Sequence, residues 1–148
     1  MTRQREPMLA GWREWVALPS FGIDSIEAKL DTGAHTSALH AKSVRRYTEG
    51  GAPWILLEIQ TSKQNRDSMV LVETPIKDTR MVTDSGGHSE TRIVVESELQ
   101  IGMSKWWIEV TITNRDSLRY LMLIGRSAME GRLWVDPAKK FLVSSPPP

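Results

Sequence analysis

The residues best placed to do chemistry lie in Ala28-Lys29-Leu30-Asp31-Thr32-Gly33-Ala34. A carboxylate, Asp31, leaves the end of an apolar stretch and is followed at once by a small hydroxyl, a glycine and an alanine. Glycine permits a sharp turn and close backbone approach, so main-chain N–H groups can hold the carboxylate in one place. Thr32 can use its hydroxyl to pin the loop to a neighbour. This is the seat that a general acid or base requires, and Asp31 is the candidate catalytic residue. Four small residues in a turn are by themselves often only a turn, so the assignment needs further support from the chain.

Two further segments supply it. Far downstream, Leu121-Met122-Leu123-Ile124-Gly125-Arg126 is an apolar strand that ends in glycine and arginine. Between it and the aspartate lies a polar segment, Asp84-Ser85-Gly86-Gly87-His88, which reads as the tip of a hairpin. The apolar stretches alternate or run short and are rich in Val, Ile, Trp and Thr, the mark of strands. Strands are expected at Trp12–Leu18, Ile23–Leu30, Trp54–Gln60, Met69–Glu73, Thr79–Thr83, Glu90–Glu96, Trp106–Thr113, Tyr120–Ile124, Leu133–Val135 and Phe141–Val143, with a turn over Pro19–Gly22. Arg126–Glu130 reads as a single helical turn closed by Gly131. Residues 1–10 are expected to form a flexible tail, residues 11–143 one all-β domain, and residues 144–148 a proline-rich tail.

The bulk properties exclude several alternatives. The chain has 148 residues, a net charge of +1 and no cysteine. A disulfide scaffold, thiolate metal sites and a cysteine nucleophile are ruled out together. The balanced charge gives no argument for nucleic acid or a membrane surface. No stretch approaches the roughly 18 apolar residues of a membrane span, and Met1–Ala10 lacks the apolar core of a secretory signal. A cytoplasmic location is expected.

The order of carboxylate loop, glycine-tipped hairpin and apolar-Gly-Arg segment resembles the retropepsins, dimeric aspartic proteases. A closer resemblance is to a bacterial retropepsin-like family, RimB-like, several members of which are associated with ATP-grasp glutamate ligases of the RimK type. It rests on Gly11-Trp12-Arg13-Glu14-Trp15-Val16, the Asp31 loop, Thr36-Ser37-Ala38-Leu39-His40-Ala41, and Ile124-Gly125-Arg126 with Val135-Asp136-Pro137. The resemblance implies a closed β-barrel with a flap hairpin and one short C-terminal helix. It implies a homodimeric aspartic endopeptidase in which Asp31 is catalytic and Thr32, Gly33 and Ala34 complete the active-site loop. Ser85, Gly86 and Gly87 would lie over a peptide or protein substrate, and Ile124, Gly125 and Arg126 would support the loop from beneath. No cofactor is called for. A functional link to an ATP-grasp glutamate ligase makes acidic or glutamate-extended tails the expected substrates.

One departure stands out. Retroviral relatives carry an aspartate directly after the loop, where it pairs with the arginine; this chain has His35. Arg126 must find another partner, with Glu130 and Asp136 as candidates. His35 then reads either as a residue recognising an acidic substrate or as a turn histidine facing water. His40 reads as a buried core histidine, His88 as solvated, and Lys42, Arg45 and Arg46 as a wet face that could also meet an acidic tail. Some relatives are labelled ATP-dependent zinc proteases, but His35, His40 and His88 are scattered and form no close ligand pair. No glycine-rich phosphate loop is present. A zinc protease and a non-catalytic peptide-binding module remain the alternatives.

Overall fold

Alternation of buried and exposed residues defines the strands. In Ile23–Leu30, Ile26, Ala28 and Leu30 turn inward, and in Ala52–Gln60 the inward set is Ile55, Leu57 and Ile59. The computed structural model describes residues 6–83, 86–114 and 119–147. The strands are β1 (Met8–Gly11), β2 (Arg13–Leu18), β3 (Ile23–Leu30), β4 (Ser37–His40), β5 (Ser43–Glu49) and β6 (Ala52–Gln60). They continue as β7 (Met69–Pro75), β8 (Asp78–Thr83), β9 (Ser89–Ile101), β10 (Ser104–Thr113), β11 (Met122–Ile124) and β12 (Leu133–Asp136). A 3-10 turn (Pro19–Phe21) follows β2, and the short helix α1 (Arg126–Met129) precedes β12.

Seven strands form one sheet in the order β10-β4-β11-β3-β2-β9-β8. A further pairing of β10 with β9 bends that sheet into a near-closed ring, with β8 outside it as one arm of the β8–β9 hairpin. The fold is thus all-β with one short helix, as expected. A second sheet, β5-β6-β7, lays Ile55, Leu57, Ile59 and Val72 against the same apolar core as Leu18, Ile26, Leu99 and Ile124. β1 and β12 form a separate parallel pair.

The placement of β11 matters most for function. It runs parallel to β3, with Leu30 opposite Ile124, and antiparallel to β4. The ends of β3 and β11 therefore emerge side by side. Asp31 and Gly125 follow those two ends directly.

Several sequence expectations need correction. The N-terminal tail does not extend through Ala10, because Met8–Gly11 pairs with Leu133–Asp136. Ser43–Glu49 is a strand, although its many polar residues gave no apolar alternation. β9 continues past Glu96 to Ile101, since Ser97, Leu99 and Ile101 keep turning inward. Phe141–Val143 is not a strand, and Phe141 adopts a φ of 56° that breaks an extended run. The C-terminal tail does not begin free at Ser144, as the following contacts show.

The cause is Glu14, which is fully buried. Its Oε2 accepts the N–H groups of Gly11 at 2.7 Å and Leu142 at 2.8 Å. Its Oε1 accepts the Val143 N–H at 3.3 Å and the Ser144 hydroxyl at 2.6 Å. Ser144 Oγ in turn accepts the Trp15 N–H at 2.8 Å. A carboxylate thus takes the place of a neighbouring strand for this segment. Glu14→Ala should leave these donors without an acceptor and lower the unfolding free energy by on the order of 3 kcal/mol. Urea denaturation measures this, and equal stability would mean that Glu14 does not fasten the segment.

The outer arm has its own tie. Arg80 of β8 makes a bidentate pair with Glu109 of β10 at 2.8 and 3.0 Å, and Lys77 reaches the same carboxylate at 3.0 Å. The Arg80 hydrogen bonds, followed by that of Lys77, hold the Glu109 carboxyl down to about 2, below its ordinary value of 4.5. A depressed carboxyl adds stability above its unfolded value and loses it as pH falls toward the folded one. The stability gap between wild type and Glu109→Gln should therefore be present at neutral pH and close between pH 4.5 and about 2. Since Glu109 is more than a third exposed, salt should narrow the gap. Thermal melts across that pH range read both effects.

Candidate active site

The Asp31 loop is held by the strand end beside it. Asp31 N–H donates to the Ile124 carbonyl at 2.9 Å, continuing the β3–β11 pairing one residue beyond the sheet. The loop then closes on itself. Gly33 N–H donates to Asp31 Oδ1 at 2.9 Å, and Ala34 N–H to the Asp31 carbonyl at 3.2 Å. A side chain at position 33 would begin 3.2 Å from that carboxylate oxygen, so glycine leaves the approach open.

The start of α1 grips the far side of the loop. Arg126 N–H donates to the Ala34 carbonyl at 2.7 Å, and Ser127 N–H to the His35 carbonyl at 3.0 Å. Gly125 lies against the same backbone. A Cβ there would stand 2.5 Å from the carbonyl carbon and 2.6 Å from the carbonyl oxygen of Thr36. Its N–H donates to Ser37 Oγ at 3.0 Å, and the Ser37 carbonyl accepts from Thr111 Oγ1 at 2.8 Å. The helix is anchored from the ring by Trp106, whose indole N–H reaches the Ala128 carbonyl at 2.9 Å.

Ile124, Gly125 and Arg126 are thus in direct contact with Asp31, Thr32, Ala34, His35 and Thr36. The partner of Arg126 differs from expectation. Among the described residues its guanidinium donates to the Thr32 carbonyl at 3.1 Å, and it pairs with neither Glu130 nor Asp136. With histidine after the loop, the cation binds the loop's main chain directly.

Asp31 is 32% exposed at its side chain, and Lys29 Nζ lies 3.9 Å from Oδ2. Sequence reading quoted Lys29 but gave it no role. Its spacing was the available signal, because residues two apart on a strand share a face. Ser37 was missed in the same way. His35 is exposed beside the loop, His40 is buried in β4, and His88 is exposed near the hairpin tip. Gly86 and Gly87 lie in the β8–β9 connection, where Gly87 has the left-handed φ of 83°; Ser85 lies outside the described residues.

Among the described residues, no three His, Cys, Asp or Glu side chains gather as a metal would require. Among the described residues no helix is long and apolar enough to cross a membrane. Surface hollows of about 360, 330 and 350 Å³ are present, and Asp31 is in the wall of none of them. Asp31 is thus a carboxylate whose backbone is fixed by main-chain hydrogen bonds and whose side chain is partly open to solvent.

The chain is similar to known proteins over most of its length. The family described as RimB-like, retropepsin-like aspartic endopeptidase RimB, matches residues 9–146. The chain belongs to the RimB-like family. Relatives named "Probable alpha-L-glutamate ligase" are 39% identical in Shewanella pealeana, over 90% of this chain, and 40% identical in Parasynechococcus marenigrum, over 93%. The RimB-like chain spans only 29% of the length of each. The crystal structure of Lpg0085 from Legionella pneumophila, a protein described there as of unknown function (DUF785), superposes with a TM-score of 0.76 at 26% identity. That match covers 92% of this chain and 98% of the other.

The contact at Gly125 gives a test of how the RimB-like loop is supported. Gly125→Ala forces backbone against backbone and should cost about 1–3 kcal/mol of stability. Ser37→Ala leaves the buried Gly125 N–H without its acceptor and should cost a similar amount. Chemical denaturation of both variants decides this, and wild-type stability in Gly125→Ala would mean that the loop has room to move away.

Proposed function

We propose that the protein is an aspartic endopeptidase that works as a homodimer, each subunit contributing one Asp31, on acidic or glutamate-extended protein tails. The observation that carries this reading is the seat of Asp31. Its backbone is tied to β11, one carboxylate oxygen accepts the Gly33 N–H, and the other oxygen faces outward beside Lys29. Membership of the RimB-like family supports the same chemistry.

In the dimer the two Asp31 carboxyls share one proton, since carboxylates about 3 Å apart cannot both ionise. The ionised member takes a proton from water, whose oxygen attacks the scissile carbonyl carbon. The protonated member donates to the carbonyl oxygen as charge develops there. Collapse of the tetrahedral adduct breaks the C–N bond, and the departing amine takes up a proton. The titration belongs to the pair.

The substrate class is supported by what surrounds the carboxylate. Lys29 stands 3.9 Å away, and the Arg126 guanidinium lies on the Thr32 carbonyl. Together with the His35 imidazole they offer donors to acidic residues flanking the scissile bond. Relatives bearing the name of a glutamate ligase fit a protease that removes what an ATP-grasp ligase adds.

Cleavage of a peptide library rich in glutamate, across about pH 4 to 9, tests the proposal. Wild type should cut with or without a strong chelator, with a rate that falls on the alkaline side of its optimum. Asp31→Asn should lower the rate by at least about a thousandfold. Cuts that disappear with chelator and persist in Asp31→Asn would replace this reading with a zinc protease. Peptide binding without cuts by the wild-type dimer would replace it with a binding module.

A further inference from the structure

β5 is unusual within the fold. It is the outer strand of the β5-β6-β7 sheet, and six of its seven residues are exposed. Val44 and Arg46 point to the same side as their register partners Leu57 and Ile55, which are fully buried. The strand therefore overhangs the core, with both faces and its outer edge open to solvent. An edge strand needs charge to discourage stray pairing. One or two charges of either sign would serve that purpose; β5 ends in the acid Glu49, whereas the charges at its start, Lys42, Arg45 and Arg46, are all cationic.

None of these three cations has a carboxylate partner among the described residues, whereas Arg13, Lys77, Arg80 and Lys105 all do. Two acids on the neighbouring strands β6 and β7 are engaged elsewhere. Glu58 accepts from Ser43 Oγ at 2.9 Å, and Glu73 accepts from the Tyr47 hydroxyl at 2.5 Å. Tyr47 is pushed up to about 12 mainly by that hydrogen bond, so its phenol keeps its proton and goes on donating to Glu73 through the physiological range.

Direction narrows the occupant further. Adjacent residues on a strand point to opposite faces, so Arg45 and Arg46 present one cation on each. An added strand with alternating acidic residues would satisfy only one of them. A strand acidic at every position places carboxylates on both faces and its main chain on the open edge. We propose that the outer edge of β5 is an exosite that takes a uniformly acidic, extended polypeptide as an added strand, held by Arg45 on one face, Arg46 on the other and Lys42 at its end. The identification of that polypeptide as a glutamate tail rests on the substrate reading above. The exosite would hold the tail at a distance from Asp31 and favour long substrates over short ones.

Fluorescence anisotropy with a labelled oligoglutamate as long as β5 tests it, using the full chain carrying Asp31→Asn so that nothing is cut. Arg45→Glu/Arg46→Glu should weaken binding by at least about tenfold. Lys139→Glu/Lys140→Glu makes the same change in net charge elsewhere and should alter binding by less than about twofold. Methylating every backbone amide of the peptide should abolish binding, because edge pairing needs those N–H groups. Thermal melts check the fold, with Arg45→Gln/Arg46→Gln as the milder pair.

No binding by the parent protein, or equal loss in both charge-reversed pairs, would overturn the exosite. So would single-stranded DNA of equal charge binding as tightly as the peptide. The readout does not require turnover, so a protein that binds through β5 but cuts nothing would sink the protease reading and leave the exosite standing.

Discussion

The geometry around Asp31 depends on one register: β11 lying parallel to β3 with Ile124 opposite Leu30. Because the two strands end together, the Ile124 carbonyl is in place for the Asp31 N–H and Gly125 lies against the chain that returns from the loop. A slip of one residue would turn every side chain of β11 to the other face. It would also move Gly125 away from Thr36, where a Cβ would stand 2.5 Å from backbone.

The rest of the ring serves that register. β4 flanks β11 on its other side, and β10 flanks β4, so the short strand is held within a wide sheet. Ser37 links the two levels, accepting from Gly125 with its hydroxyl and from Thr111 with its carbonyl. Trp106 fixes the helix that follows. Rigidity at Asp31 therefore comes from main-chain hydrogen bonds anchored in buried strands. That suits the proposed dimer, in which two Asp31 carboxylates would meet at a fixed distance. At the periphery, Glu14 secures the C-terminal segment, which has no strand neighbour, and Glu109 ties the hairpin arm β8 back to β10.

The same economy explains Arg126. Where a neighbouring aspartate is absent and His35 stands instead, the guanidinium needs an acceptor. The Thr32 carbonyl supplies it from within the loop. The cation is then part of the loop's support and leaves the Asp31 carboxylate facing solvent beside Lys29.

The sequence by itself determined the alternation that makes β3, β6 and β10, the turn chemistry around Gly33, and the two segments that meet there, the Asp31 loop and Ile124-Gly125-Arg126. Those are local properties, set by side-chain period and by the backbone freedom of glycine. Only the tertiary structure decided the rest. β5 carries no apolar period because it overhangs the core, so pairing with β6 and not burial makes it a strand. Phe141–Val143 looks like a strand, yet its neighbour's place is taken by a buried glutamate more than a hundred residues away in sequence. The Thr32 carbonyl that Arg126 binds and the Ile124 carbonyl that accepts the Asp31 N–H likewise come from segments distant in the chain. Long-range pairing of polar groups leaves no periodic trace, and so it could be read only once the strands were side by side.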